Sequence, residues 1–327
     1  MDWSFNPCHV PVLATETLET LSGALKLLGN ETGEDELFVD GTLGEGGHSE
    51  RFLTQFPQLR VIGVDADREI MGVARERLTR FGGRIAFHEG WADDFFRYYP
   101  VDNAELPRPG MILLDLGVSL FHYEKGGRGF SFRLDESLDM RIDITRGTSA
   151  AGLLATLSER ALARLLAENS GERFAKRIAR ALVNARAEAP ITSSAVLAEI
   201  VSNAVPSFVR HHAIHPATKT FAALRIAVNG ELERLPALLD AAFTALKPGG
   251  RFGVITFHSL EDRIVKNYFR DLARDCICPP SVPKCVCRGR RLARLITNKP
   301  IAPTEAECAQ NAPSRSAKLR VVEKALC

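Results

Sequence analysis

Short apolar runs that close on an acid recur through the first third of the chain. Leu37-Phe-Val-Asp40, Arg60-Val-Ile-Gly-Val-Asp65 and Met111-Ile-Leu-Leu-Asp115 share this design, and Arg84-Ile-Ala-Phe-His88 follows it without the terminal acid. Each run predicts a strand. Between the second and third runs, Ile70, Met71, Ala74 and Leu78 fall at helical spacing over 68–78. Strands alternating with helices predict an α/β fold whose mostly parallel sheet is covered on both faces, with ligands bound beyond the carboxyl ends of the strands.

The pattern changes after Gly126. From Ser149 to Pro206 only helical signals occur: Leu153, Leu154, Leu157, Leu162, Leu165 and Leu166, then Phe174, Ile178, Ala181, Leu182 and Ala185. Arg173, Lys176, Arg177 and Arg180 lie on the opposite side of that last helix. Alternation resumes with helices over Thr218–Asn229 and Glu231–Leu246, a stop at Pro248-Gly249-Gly250, a buried strand at 251–257 and an amphipathic helix over Ser259–Ala273. Ser316–Lys324 reads as a final strand, antiparallel at or near an edge. The expected layout is therefore an α/β domain in two parts, 1–126 and 217–327, interrupted by an all-helical insertion over 127–216.

Composition adds little until charge is placed along the chain. The 327 residues carry a net charge of +2, yet residues 284–324 hold ten Lys or Arg against three Glu, 10 − 3 = +7, which leaves 2 − 7 = −5 elsewhere. A basic C-terminal segment and a basic helix face suit phosphate contacts. The chain does not start with a cationic stretch followed by an apolar run, and no apolar stretch approaches the roughly 18 residues that span a bilayer. Seven cysteines, six of them at or after 276, do not form a disulfide framework. The expected setting is the cytoplasm, without a membrane partner.

The candidate chemistry gathers where the strands end. Asp40-Gly-Thr-Leu-Gly-Glu-Gly-Gly-His48 follows the first strand and precedes a helix, so glycines allow close backbone approach and a helix N-terminus faces the ligand. Asp65 can accept two ribose hydroxyls, and Asp115 stands where a cationic tail would lie. A nucleoside bearing an amino-acid tail, S-adenosylmethionine, fits this combination. A dinucleotide fits it less well, because Ser49 occupies the last position of the G-x-G-x-x-G fingerprint, and no G-x-x-x-x-G-K-[ST] loop is present.

Longer segments carry a specific resemblance. His9-Val-Pro-Val-Leu13, Leu113-Leu-Asp-Leu-Gly-Val-Ser119, Arg128-Gly-Phe-Ser-Phe-Arg133, Leu138-Asp-Met-Arg141, His215-Pro-Ala-Thr-Lys-Thr-Phe221, Ala223–Asn229, Phe257-His-Ser-Leu-Glu-Asp-Arg263 and Ser314–Arg320 join the glycine loop. Together they resemble the bacterial small-subunit ribosomal RNA (cytosine-N4)-methyltransferases, the MraW family, almost end to end. The resemblance implies a class I methyltransferase (Rossmann-like) sheet. It also implies methylation of a cytidine amino group in the decoding centre of 16S ribosomal RNA. The cofactor contacts it implies are Gly46, Gly47, His48, Asp65, Trp91, Asp115 and His122. Trp91 stands where the family commonly has Phe, and His122 where it has Gln.

An exocyclic amine is a poor nucleophile, so the site must align it with the methyl group and offer an acceptor for its proton. Asp115, His258 and Ser259 are the catalytic candidates, with Ser119, Asp139, Arg141 and Asn229 as further base-pocket candidates. The Asp/Asn/Ser-Pro-Pro-aromatic motif of many DNA amine methyltransferases is missing after the fourth strand; the one Pro-Pro is Pro279-Pro280. DNA is therefore not an expected partner. Cys276-x-Cys278 and Cys285-x-Cys287 could hold zinc tetrahedrally or remain reduced thiols, and the residues leave that choice open.

Overall fold

The computed structural model describes residues 10–30, 32–100, 106–124, 126–207, 215–276, 278, 289 and 291–326. The chain divides into two compact units. The first comprises Met1–Gly117 and Arg234–Cys327, the second Val118–Glu233. The expected joins at 126/127 and 216/217 stand beside unit edges at 117/118 and 233/234.

The first unit is a doubly wound sheet of seven strands among the described residues. Strands β1 (Leu37–Asp40), β2 (Arg60–Asp65), β3 (Ile85–Glu89), β4 (Met111–Asp115), β5 (Arg251–Thr256), β6 (Ala293–Leu295) and β7 (Lys318–Lys324) lie in the order β3-β2-β1-β4-β5-β7-β6. The first five pair in parallel; β7 runs antiparallel to both β5 and β6. This is the class I methyltransferase sheet. The final strand is not its rim, because the three-residue β6, unsignalled in the sequence, covers β7's outer edge and leaves β7 one place inside.

Alternation along each strand divides the core between two faces. Leu37, Val39, Ile112, Leu114, Phe252 and Val254 pack with helices α4 (Ala92–Arg97), α11 (Glu231–Ala245) and α12 (Ser259–Leu272). Phe38, Val61, Met111, Leu113, Ile255 and Leu319 pack with α1 (Ala14–Leu27), α2 (Gly47–Gln55) and α3 (Arg68–Leu78). Helix starts are written locally. Asp67 caps α3 by accepting the Glu69 amide at 2.8 Å, and His258 with Glu261 forms a capping box on α12.

The second unit is helical. It contains α5 (Leu120–Glu124), α6 (Ala150–Thr156), α7 (Glu159–Ser170), α8 (Ala175–Glu188), α9 (Ser194–Ala204) and α10 (Thr218–Asn229). Ser149, Ser158 and Ser193 cap α6, α7 and α9, and Gly171 ends α7 at φ +61°. Leu154, Leu162, Leu166, Ile178, Leu182, Leu197, Phe221 and Leu224 share one core. Helix α10 contributes Phe221 and Leu224 to it, which is why the compact unit extends beyond residue 216. Helix α8 buries Ile178 and Leu182 and exposes Lys176, Arg177 and Arg180, as its pattern predicts, and Arg173 is exposed in the turn before it.

Much of the basic C-terminal charge is used inside the first unit. Arg294 pairs with Glu323 at 2.8 Å, Lys318 and Arg320 with Asp262, and Arg291 with Asp275, while Lys324 donates to the carbonyls of Phe243, Thr244 and Leu246. Arg288 and Arg290 lie outside the described residues.

Candidate cofactor site at the carboxyl edge of the sheet

The loop after β1 is drawn across the ends of two neighbouring strands. Gly41 donates to the Leu113 carbonyl of β4 at 2.9 Å, and Leu43 to the Val64 carbonyl of β2 at 2.9 Å. Gly46 caps α2 at φ +80°, and a Cβ there would meet Leu78 Cδ1 at 2.8 Å. Only glycine satisfies both the left-handed backbone and the packing of α3 behind it. Gly47 opens the helix against Pro11.

Three acids stand along this edge. Asp65 Oδ2 accepts the Gly44 amide and Oδ1 the Asp67 amide, both at 2.8 Å, so the carboxylate is oriented by backbone on two sides. A carboxylate oxygen can accept two hydrogen bonds. Asp115 is joined to the loop through its own amide, which donates to Thr42 Oγ1 at 2.6 Å. Its Oδ2 lies 3.7 Å from His48 Nε2, too far for a hydrogen bond, and its Oδ1 is buried without a partner. Asp40 is 1% exposed and accepts the Ser49 hydroxyl at 2.8 Å. Burial pushes its pKa up to about 6, against the pull of His48 and the Ser49 hydroxyl.

Beyond β3, the Gly90 amide donates to the Asp65 carbonyl at 2.8 Å, which sets Trp91 beside Asp65 at the start of α4. The indole N–H is buried without an acceptor. The Arg234 guanidinium lies 4.0 Å from the ring centroid.

Comparison with known proteins gives the family of the chain. The profile of the MraW methylase family matches residues 6–325. A protein of Treponema denticola named ribosomal RNA small subunit methyltransferase H is 53% identical over 97% of this chain and 98% of its own length. Proteins of the same name from Treponema pallidum and Geobacter sp. strain M21 are 46% and 45% identical, each over 97% of this chain and over 93% and 98% of their own lengths. The chain belongs to the MraW methylase family. Its cofactor is S-adenosylmethionine.

The residues present fit that cofactor. The unpartnered Asp115 Oδ1 and both unpartnered ring nitrogens of the buried His48 provide acceptor and donor capacity for an ammonium–carboxylate tail. Asp65 has acceptor capacity for a ribose, and Trp91 offers a ring and an unused N–H beyond it.

The structure brings Gly46, Gly47, His48, Asp65, Trp91 and Asp115 of this MraW methylase to one edge of the first unit. His122 belongs to the second unit, buried on α5 with its ring 5.1 Å from that of Phe130. His258 follows β5 and serves α12 as a cap. Its Nδ1 accepts the Glu261 amide at 3.4 Å, and its Nε2 lies 3.1 Å from Glu261 Oε1 without the alignment of a hydrogen bond. Ser259 is exposed in the first turn of that helix.

The other base-pocket candidates lie in the second unit. Asp139 and Arg141 form a two-bond pair at 2.7 and 2.8 Å, whose hydrogen bond holds the Asp139 carboxyl below its usual range. Asn229 accepts the Ile142 amide and donates to the Met140 and Arg225 carbonyls, a set that uses its amide to hold Met140 at φ +60°. Ser119 accepts the Phe121 amide at 3.1 Å. Of the cysteine quartet, Cys276 Sγ accepts the Cys278 amide at 3.4 Å, while Cys285 and Cys287 lie outside the described residues. Sequence reasoning missed Asp40 as a buried acid, and it missed Thr42, Asp93 and Arg234. Arg234 and Asp93 are 141 positions apart, and no local pattern links them.

Proposed function

We propose that the protein transfers a methyl group from S-adenosylmethionine directly to the exocyclic N4 of a cytidine in the decoding centre of 16S ribosomal RNA. The RNA is taken within the small ribosomal subunit, in the cytoplasm, and neither DNA nor a membrane is a partner. The observation that carries this reading is the joint one of Asp65, Asp115 and His48 at a single sheet edge, in a chain whose relatives named as small-subunit ribosomal RNA methyltransferases match it nearly end to end.

When bound, the cofactor supplies an electrophilic methyl group on a sulfonium. The chain's task is alignment, exclusion of water and acceptance of one proton. Gly46 and Gly47 present the α2 terminus and His48 to the carboxylate of the tail, Asp115 holds the ammonium, Asp65 accepts the ribose hydroxyls and Trp91 covers the adenine. The family resemblance alone carries His122 over as a further cofactor contact. Asp115, His258 and Ser259 are the candidates for holding the amine or taking its proton. The exposed cations Lys176, Arg177 and Arg180 of α8 and Arg173 just before it, with the basic C-terminal segment, are the proposed phosphate contacts.

Direct transfer needs no covalent enzyme–base bond. The described cysteines, Cys276, Cys278 and Cys308, follow α12 or sit on α13 (Glu305–Gln310), not in the loops carrying Asp40, Asp65 or Asp115. Nucleoside mass spectrometry of 16S RNA from a strain lacking the gene, and after re-methylation by the purified protein, tests the reading. N4-methylcytidine at one decoding-centre position is expected. A C5-methyl product, or an enzyme–RNA adduct trapped by a fluorinated cytosine, overturns the mechanism.

A further inference from the structure

The Arg234–Trp91 contact is the closest cation–ring approach among the described residues. The guanidinium carbon is 4.0 Å from the indole centroid, against 4.8 Å or more for the others. The same guanidinium is clamped edge-on. Its Nε donates to Asp93 Oδ2 at 3.0 Å, its Nη2 donates to Asp93 Oδ1, and Asp94 Oδ2 lies 3.9 Å away. The Asp93 side chain is 9% exposed. Trp91 and Asp93 are two residues apart at the start of α4, so one arginine binds the face of the first and the edge of the second.

We propose that Arg234 is a positioning residue for the cofactor: it covers one indole face of Trp91 and holds the ring so that the opposite face receives the adenine. This rests on the reading that Trp91 stacks on adenine. A half-buried indole left free would lose rotamer freedom on stacking; one already held by a planar, two-bond fork does not. The resulting stack is guanidinium, indole and adenine in order. Asp93 and Asp94 offset the charge of the guanidinium on the ring.

The chain has two tryptophans, so a Trp3→Phe background makes Trp91 the sole indole reporter. In that background the test compares Arg234→Met, Arg234→Lys and, separately, Trp91→Ala. Calorimetry gives dissociation constants for S-adenosylmethionine and for adenosine, which lacks the amino-acid tail; fluorescence anisotropy gives indole mobility. Arg234→Met is expected to weaken both ligands about tenfold and free the indole, and Arg234→Lys to recover part of each loss because a cation remains over the ring. Equal loss for both ligands marks an effect local to the adenine. If Trp91→Ala weakens binding while Arg234→Met changes neither affinity nor anisotropy, the positioning role is refuted and the stacking reading stands. If Trp91→Ala leaves both affinities unchanged, the stacking reading fails and this proposal fails with it. Loss of melting temperature in Arg234→Met with unchanged affinity shows a role in stability alone and also refutes it.

Discussion

Replacing Asp40 by Asn should remove a specific pH dependence from the stability of the first unit. Asp40 is 1% exposed, faces His48 and Asp115, and its pKa rises on folding from 3.8 to about 6 because burial penalises the charge. A carboxyl whose folded pKa is raised is neutral in both states below about pH 4 and then costs nothing. Between about pH 4 and 6 the unfolded chain ionises first, the native state binds more protons, and stability falls as pH rises. Above pH 6 the full cost persists, on the order of 3 kcal/mol at about 1.4 kcal/mol per tenfold change in proton affinity. Asn keeps the shape and an acceptor for the Ser49 hydroxyl but cannot ionise. Urea unfolding of both proteins at pH steps from acid to neutral, followed by Trp91 fluorescence in a Trp3→Phe background, reads the difference. The variant should gain on the parent by roughly half of that cost between pH 5 and 7 and then stay level, the other half of the gain lying below pH 5. Two curves that stay parallel, or a variant that loses ground as pH rises, would refute the argument that burial dominates at Asp40.

Two further outcomes follow from the same geometry. Asp65→Ala removes the proposed ribose acceptor and the carboxylate that receives the Gly44 and Asp67 amides, so cofactor affinity should fall by about 1–3 kcal/mol in calorimetry; unchanged affinity would remove Asp65 from the site. Neutralising Arg173, Lys176 and Arg177, before and on the first turn of α8, should weaken RNA binding and reduce its salt slope by about one for each phosphate no longer neutralised, with cofactor affinity constant. Neutralising Arg288, Arg290 and Arg291 should act in the same direction but less, because Arg291 already pairs with Asp275. RNA binding with an unaltered salt slope in both variants would leave these cations a solubilising role only.

The strands were legible because each carries its own signal. A run such as Arg60–Asp65 is apolar throughout its middle, and the observed β2 has the same bounds. Helices α3 and α10 likewise match their periodic segments at 68–78 and 218–229. The three-residue β6 carried no such signal, since its pairing with β7 supplies what its own sequence does not. The acids closing β1, β2 and β4 were visible as a pattern, because parallel strands must deliver their last residues to one edge.

The sequence by itself determined the sheet's parallel core, the glycine loop that follows its first strand and the family, all of which rest on contiguous residues. Tertiary structure decided which of those residues are free to act. It used much of the basic C-terminal segment on Glu323, Asp262 and main-chain carbonyls, made His258 a helix cap, and bound Asn229 to the backbone around Met140. It also brought Arg234 over the ring of Trp91 and against the carboxylate of Asp93, 141 positions away. The physical reason is that periodicity records only which face of an element is buried. The partner met on that face depends on contacts between distant segments, and those form only when the sheet closes.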